Sequence, residues 1–392
     1  MKETRVIKLP GMNDMSGEGY QRLLSLSDTL KKFALDKDYT LIDTPLIEQS
    51  ELFIRKSGGE FSAQTYSFID PDGRKVSLRP EFTSSVIRYF IENKDLPLPV
   101  KFQYVGPVFR YEEGYSQFTQ FGAELIGPQS LDSDLDIIEM AWSALTLCGM
   151  KDYGIRIGNL GIIDDLLNKF GLSASMKLFI VSNIGKLKND EVQPDQLVEV
   201  AKKLGLINNS PDPQTEHLLG SVGLKTAQQF VKEIMVDPIP TVVGRRSSEQ
   251  IIERLLRKAK AFNREDRVLP ALQLITTVSK VQGKPSTAIQ AMKNIFISNK
   301  IDSQRLEDFD LFSSSLVNRG IKESYVTIDF GLARDISYYT GMIFDIEIRK
   351  ESSLVSLGGG GRYDGLVNAL GGKQIPALGF AFNLDKILEA IN

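Results

Sequence analysis

The stretch Val108–Gly127, VFRYEEGYSQFTQFGAELIG, decides the reading of this chain. A β-prone run ends in Phe109 and Arg110, a polar loop (113–116) follows, and an aromatic-rich run returns through Phe118, Phe121 and Ile126. Two such runs about a short loop predict a β-hairpin. Arg110 and Glu112 are two residues apart on the outgoing run and share a face; Gln120 and Glu124, four apart on the return run, share one beside Arg110 once the hairpin closes. A guanidinium clamps a carboxylate or phosphate with two prongs, and a carboxylate accepts from an amine. A solvated cross-strand ion pair would explain Arg110 and Glu112 equally well. Gln120 and Glu124 are bracketed by Phe118, Phe121, Leu125 and Ile126, and burying them costs free energy unless they find partners.

Working outward, residues 17–36 carry Leu23, Leu24, Leu26, Leu30 and Phe33 near helical spacing. YTLIDTPLIE (39–48) is extended, with Pro45 suited to an edge or junction. TYSFIDPDGRKVSLRPE (65–81) reads as a second hairpin about Asp-Pro-Asp-Gly. Helices are predicted at 84–93 and at 132–148, the latter with Leu135, Ile138, Trp142 and Leu145 on one face. From 164 to 320 helical patterns alternate with polar breaks such as NNSPDPQTE. Strand character returns in YVTIDFGL (325–332), YYTGMIFDIEI (338–348) and the Gly-rich LGGGGRYDGL (357–366), before a last helix in AFNLDKILEAIN (381–392). The predicted class is α+β: one antiparallel sheet flanked by helices, built from 1–163 and 321–392, with a mainly helical insertion at 164–320.

Three further segments carry candidate chemistry. In SLRPEFTSS, Glu81 and Thr83 stand where a strand passes into a helix; both accept from an ammonium group, and a plain helix cap is the alternative. In ARDISYYTG, Arg334 precedes Tyr338 and Tyr339, and core packing would account for Tyr338 as well as ligand contact does. The glycines of LGGGGRYDG permit close backbone approach or a bulge, without the pattern of a phosphate-binding loop.

The bulk numbers exclude several classes. Of 392 residues 25% are charged, yet the net charge is only −3, so no global basic field exists to hold a large nucleic acid. The basic stretch GRRSSEQIIERLLRKAKAFNRED (244–266) reads as a solvated face. One cysteine (Cys148) and one histidine (His217) argue against a disulfide framework, a cysteine zinc site, a histidine metal site and a catalytic triad; no metal and no cofactor are expected. No run has the length of a membrane span and the N-terminus has no apolar signal core, so a cytoplasmic protein is expected.

In this order and spacing the segments resemble histidyl-tRNA synthetase and its paralogues, of the class II aminoacyl-tRNA synthetase fold. DTPLIE (43–48) is similar to the first class II motif, with Pro45 where the family forms a homodimer interface. FRYE and QFTQFGAE are similar to the second, GFAFNLDKIL (379–388) to the third, and RDISYYTG (334–341) and GGGGRYDG (358–365) to the two segments special to the histidine branch. The resemblance implies an L-histidine site: Glu81, Thr83 and Gln120 on the α-ammonium, Arg334 on the carboxylate, Glu124 and Tyr339 on the imidazole nitrogens, with Arg110 and Tyr338 in the same set. Arg110 and Glu112 also match the family's contacts to the α-phosphate and adenine.

The chain departs from the synthetase pattern on the nucleotide side. The loop after Glu112 is short and has no arginine. Lys386 stands where the family has an arginine, and lysine lacks the planar, stacking fork. Asn383 stands where a glycine admits the nucleotide. Glu112, Asn383 and Lys386 are therefore expected to be vestigial. Asp335 and Ser337 replace a glycine and an aspartate, Phe82 replaces a glycine, and the chain ends soon after the third motif, so an anticodon-binding domain is expected to be absent. The combination resembles the family of regulatory subunits of ATP phosphoribosyltransferase, in histidine biosynthesis. It implies no catalysis, a hetero-oligomer with the short-form catalytic subunit, and feedback regulation by histidine. The alternative is a truncated synthetase core that still forms histidyl-adenylate.

Overall fold

The computed structural model describes residues 6–55, 63–111, 116–207, 263–334, 338–350 and 353–391. The chain divides into two compact units: 1–162 together with 279–392, and 163–278. On the C-terminal side this boundary differs from the sequence reading, which carried the insertion to 320. Helices Pro285–Ser298 and Gln304–Asn318 belong with the sheet. Their apolar faces explain it: the first packs on a strand of the sheet and the second on helix Leu131–Leu147, burying Ile289, Met292, Phe309 and Leu316.

The strands are β1 (Thr40–Leu41), β2 (Ile47–Gln49), β3 (Ser67–Ile69), β4 (Lys75–Leu78), β5 (Val100–Phe109), β6 (Gln117–Ile126), β7 (Tyr153–Asn159), β8 (Gln282–Gly283), β9 (Val326–Asp329), β10 (Met342–Lys350), β11 (Ser353–Arg362) and β12 (Ala377–Asn383). Nine form one sheet in the order β1-β5-β6-β12-β11-β10-β7-β9-β8. It is antiparallel except where β1 joins β5 and β7 joins β9. The hairpin of 65–81 forms, but β3 and β4 join β2 in a separate three-stranded sheet. The central hairpin pairs Phe102 with Glu124, Tyr104 with Gly122 and Gly106 with Gln120, so these six share one face.

That face is covered by helix Thr83–Glu92, which buries Val86, Ile87 and Phe90 against Phe102, Tyr104, Val108, Phe118 and Ile126. Beneath the helix start lies a stack. The Phe82 ring sits 4.3 Å from Tyr104 and nearly parallel to it, and the Arg79 guanidinium lies 3.5 Å from the Phe82 centroid. Arg79 is 1% exposed and donates to the Thr44 carbonyl (2.6 Å), Thr44 Oγ1 (3.0 Å) and the Pro107 carbonyl (3.1 Å). At Gly106 a Cβ would meet the Phe82 ring at 3.0 Å and Arg79 Nη2 at 3.2 Å, so the bare backbone there makes room for the stack.

The second unit is helical in its described parts. Helices Ala174–Ser182, Ile184–Lys188 and Pro194–Lys203 bury Met176, Ile180, Ile184, Leu187, Leu197 and Val198. NNSPDPQTE, His217 and most of the basic stretch 244–266 lie outside the described residues. Among the described residues no helix is long and apolar enough to cross a membrane, and no group of three or more His, Cys, Asp or Glu is placed to hold a metal ion.

Candidate functional site

Glu81, Thr83, Arg110, Gln120, Glu124, Arg334, Tyr338 and Tyr339 all line one cavity of about 110 Å³, together with Asn383 and Lys386. Glu112, Asp335 and Ser337 lie outside the described residues. Four parts of the chain meet here: the turn into helix 83–92, the β5–β6 hairpin, the segment after β9, and β11–β12. The sheet order makes this unavoidable, because β12 pairs with β6 and sets Gly379 opposite Glu124 and Asn383 opposite Gln120.

The turn divides its duties differently from a hydroxyl-capped helix. Glu81 caps: both its oxygens accept from the Ser84 N–H, at 3.1 and 3.2 Å. Thr83 instead donates its hydroxyl to Glu124 Oε1 at 2.6 Å. Tyr104 donates to the same oxygen at 2.9 Å, and the Tyr363 hydroxyl donates to Oε2. Gln120 accepts from the Phe82 N–H at 3.3 Å.

Glu124 is the electrostatic centre. Burial pushes its carboxyl up to about 8, the three hydroxyls pull it back, and nearby Glu81 adds to the rise. Burial also raises Glu81, against the pull of its Ser84 contacts and of Arg110. Burial raises the phenols of Tyr338, Tyr339 and Tyr363, keeping them neutral donors. One wall therefore offers two buried carboxyl groups, Glu81 and Glu124. The other presents guanidiniums: Arg110 donates from Nε to the Pro80 carbonyl (2.8 Å), and Arg334 lies 5.9 Å from the Tyr339 ring centroid and donates to the Phe344 carbonyl (3.1 Å) and to Asp345. Such a dipolar cavity suits a small zwitterion with a ring bearing N–H groups.

Two glycines keep the Glu124 carboxyl in place. A Cβ on Gly379 would lie 2.5 Å from the Ala123 carbonyl and 2.7 Å from the Glu124 carboxyl carbon, and one on Gly122 would strike Tyr104 and the Phe380 carbonyl. Gly379→Ala is expected to lower stability by about 3 kcal/mol and to abolish ligand binding, because backbone on one side and a buried carboxyl on the other cannot both move aside. Denaturation and calorimetric titration check this; parent-like values in both would refute it.

Asn383 and Lys386 line the same cavity. Asn383 Oδ1 accepts from the Lys386 N–H (3.1 Å), opening helix Leu384–Ile391, and Asp385 accepts from the Thr119 N–H (2.7 Å), tying that helix to β6. Sequence reasoning missed Tyr104, Tyr363 and Asp345. Tyr104 was recoverable: the short loop fixes a register that puts it on the face of Gln120 and Glu124. Tyr363 and Asp345 depend on the order β12-β11-β10, which no local pattern specifies.

A mostly antiparallel sheet interleaved from both parts of the chain, with this cavity on its helix-covered face, is a class II aminoacyl-tRNA synthetase core. Residues 11–192 and 245–387 match the family model for histidyl-tRNA synthetase. The chain belongs to that family. Its relatives include the histidine--tRNA ligases of Methanococcus vannielii, 32% identical over 91% of this chain and 69% of the relative, and of Sulfolobus acidocaldarius, 30% identical over 97% and 74%. The Pyrococcus horikoshii ligase is 29% identical over 89% of this chain and 66% of the relative, so the chain spans about two thirds of that protein's length. Among solved structures, a Bacillus halodurans protein described as an ATP phosphoribosyltransferase regulatory subunit/histidyl-tRNA synthetase aligns over 100% of this chain and 84% of its own, with TM-score 0.68 and 20% identity. Histidyl-tRNA synthetase from Nostoc aligns over 99% and 75%, with TM-score 0.65 and 17% identity.

Proposed function

We infer that this chain is a non-catalytic regulatory subunit of ATP phosphoribosyltransferase, acting in histidine biosynthesis. In this reading a homodimer assembles with the short-form catalytic subunit, activates it, and takes part in feedback regulation by binding L-histidine in the Glu124 cavity. The observation that carries the reading is a division within one cavity. The residues suited to a zwitterion and an imidazole stand together, while the nucleotide side has Asn383 for glycine, Lys386 for arginine, and no arginine between Glu112 and Gln117. Lysine supplies a point charge where a stacked, forked group is needed, and the Asn383 side chain is committed to the Lys386 N–H. The fold shared with the Bacillus halodurans protein is compatible with this role.

A second reading is a synthetase core that forms histidyl-adenylate. The names of the sequence relatives and the presence of Arg110 in the cavity favour it. One pair of assays separates the two. Co-expressed with a short catalytic subunit, the chain is expected to co-elute with it, to be required for phosphoribosyl transfer to ATP, and to make that transfer sensitive to L-histidine. Histidine-dependent exchange of pyrophosphate into ATP by the purified chain is expected to stay at background. Robust exchange without any effect on a catalytic partner would establish the enzyme instead.

A further inference from the structure

Arg334, the cavity's cation for a carboxylate, is already held by one. Its guanidinium lies over β11 in a slot that exists because residue 359 is glycine: a Cβ there would collide with Arg334 Nη1 and the Phe344 carbonyl, and would lie 2.6 Å from Asp345 Oδ1. In that slot Nη1 is shared between the Phe344 carbonyl and Asp345. Asp345 is directly opposite Arg156 on β7, and the two project from the same face of the sheet. Arg156 in turn pairs with Glu347, two residues along β10, and with the fully buried Asp329 on β9, at 3.4 Å. The other oxygen of Asp329 accepts from the Gly331 N–H (2.9 Å), at the root of the segment that carries Arg334. The circuit has three charge links and a backbone return: Arg334 pairs with Asp345, Asp345 stands opposite Arg156 and favours its charge, Arg156 pairs with Asp329, and the chain runs from Asp329 to Arg334. It runs across β11, β10, β7 and β9, roughly 14 Å at the usual strand spacing.

We propose that Asp345 is an internal competitor for the guanidinium that meets the ligand's carboxylate, so that Arg334 passes from Asp345 to the ligand while Arg156 takes up the charge of Asp345. This rests on reading the cavity as an L-histidine site and adds a residue that sets its affinity and a cation that receives the displaced charge. The physical basis is exchange within a partly buried network. Arg334 and Asp345 are 22% and 14% exposed in their side chains, so a lost partner is replaced only weakly by water. Arg156 faces three carboxylates, those of Glu347, Asp329 and Asp345, and all three favour its cationic form. When the ligand holds Arg334, the charge of Asp345 is met one strand away, and the Asp329 end of the circuit feels the change.

The test is calorimetric titration of the full chain with L-histidine and with histidinol, which keeps the ammonium and the imidazole but has no carboxylate. Asp345→Asn preserves the shape and still accepts from Arg334, but no longer competes as an anion. It is expected to bind L-histidine about three- to tenfold more tightly, with histidinol affinity changed less than about twofold. Weaker L-histidine binding, or an equal change for both ligands, overturns the proposal. Glu347→Gln, outside the cavity lining, tests the far end: with one competitor for Arg156 neutralised, L-histidine is expected to bind about twofold more tightly and histidinol as before. Unchanged or weaker L-histidine binding there removes Arg156 as the receiver. A parent chain that binds neither ligand refutes the L-histidine reading itself, a result distinct from one in which the parent binds both and Asp345→Asn does not discriminate.

Discussion

Glu124→Gln is expected to weaken L-histidine binding by about a hundredfold or more and to flatten the dependence of stability on pH. The two effects share one cause. The Glu124 carboxyl is buried, accepts three hydroxyl bonds, and has its proton affinity pushed up to about 8. In the unfolded chain it titrates near 4.3. A carboxyl raised on folding contributes stability that is fully present below the unfolded value and is lost as pH climbs through the folded one. Between about pH 4 and 8 the parent should therefore lose stability on the order of 4 kcal/mol from this group alone, and the Gln variant should not. A neutral imidazole that donates its N–H to Glu124 draws the carboxyl toward its charged form, so binding near pH 7 should release the carboxyl proton to the buffer. The observed heat would then vary with the ionisation enthalpy of the buffer for the parent and not for the variant. Losing the charged acceptor of a buried hydrogen bond costs about 3 kcal/mol, which sets the expected loss of affinity. Equal buffer dependence in both proteins, or equal affinity, would sink this assignment.

Arg79→Ala is expected to destabilise the sheet unit by about 3–5 kcal/mol. Two effects compete. Removing a buried guanidinium relieves its desolvation, which lowers the proton affinity of Arg79, and Arg79 Nε has no hydrogen-bond partner. Against that, the Thr44 and Pro107 carbonyls lose donors inside the protein, at about 1–3 kcal/mol each. The stack loses its Arg79 layer, and a cavity opens against the Phe82 ring. The ion pair with Asp43 weighs little, because that side chain is 88% exposed. The losses win. Chemical denaturation decides it, and a variant within about 1 kcal/mol of the parent would mean that desolvation relief offsets the broken contacts. Because Arg79, Phe82, Tyr104 and Glu124 form one layered column, ligand affinity should fall as well.

What the sequence made legible follows from how local each signal is. The β5–β6 hairpin is encoded within some twenty residues, and its face of Gln120 and Glu124 could be read before any coordinates. Helices 17–35, 83–92 and 131–147 were visible as apolar stripes, although Leu24 within the first stripe is exposed. Arg79 was not legible as a core residue, because an arginine at a strand end is ordinarily at the surface. Its burial depends on Thr44 and Pro107, 35 and 28 residues away. Asp345 and Arg156 drew no reading from the sequence; only the order β11-β10-β7-β9 brings them into a network. The small sheet of β2, β3 and β4 escaped for the same reason, since a hairpin does not announce which strand will join its edge. The assignment of Gln120, Glu124, Arg334 and the tyrosines to one cavity came from the family resemblance and not from periodicity. Periodicity alone left Tyr338 open to core packing, and the structure gives it both positions, 5% exposed and on the cavity wall.

The pairing of β6 with β12 has a consequence for synthesis of the chain. Thr119 and Asp385, which close that seam, are 266 residues apart. At elongation rates of roughly 5–20 residues per second, the nascent hairpin waits on the order of ten to fifty seconds with one edge unzipped before its neighbour emerges. During that interval Glu124 lacks the β12 strand that sets Gly379 opposite it. A nascent chain shortened before β12 should carry an open strand edge inviting capture by chaperones.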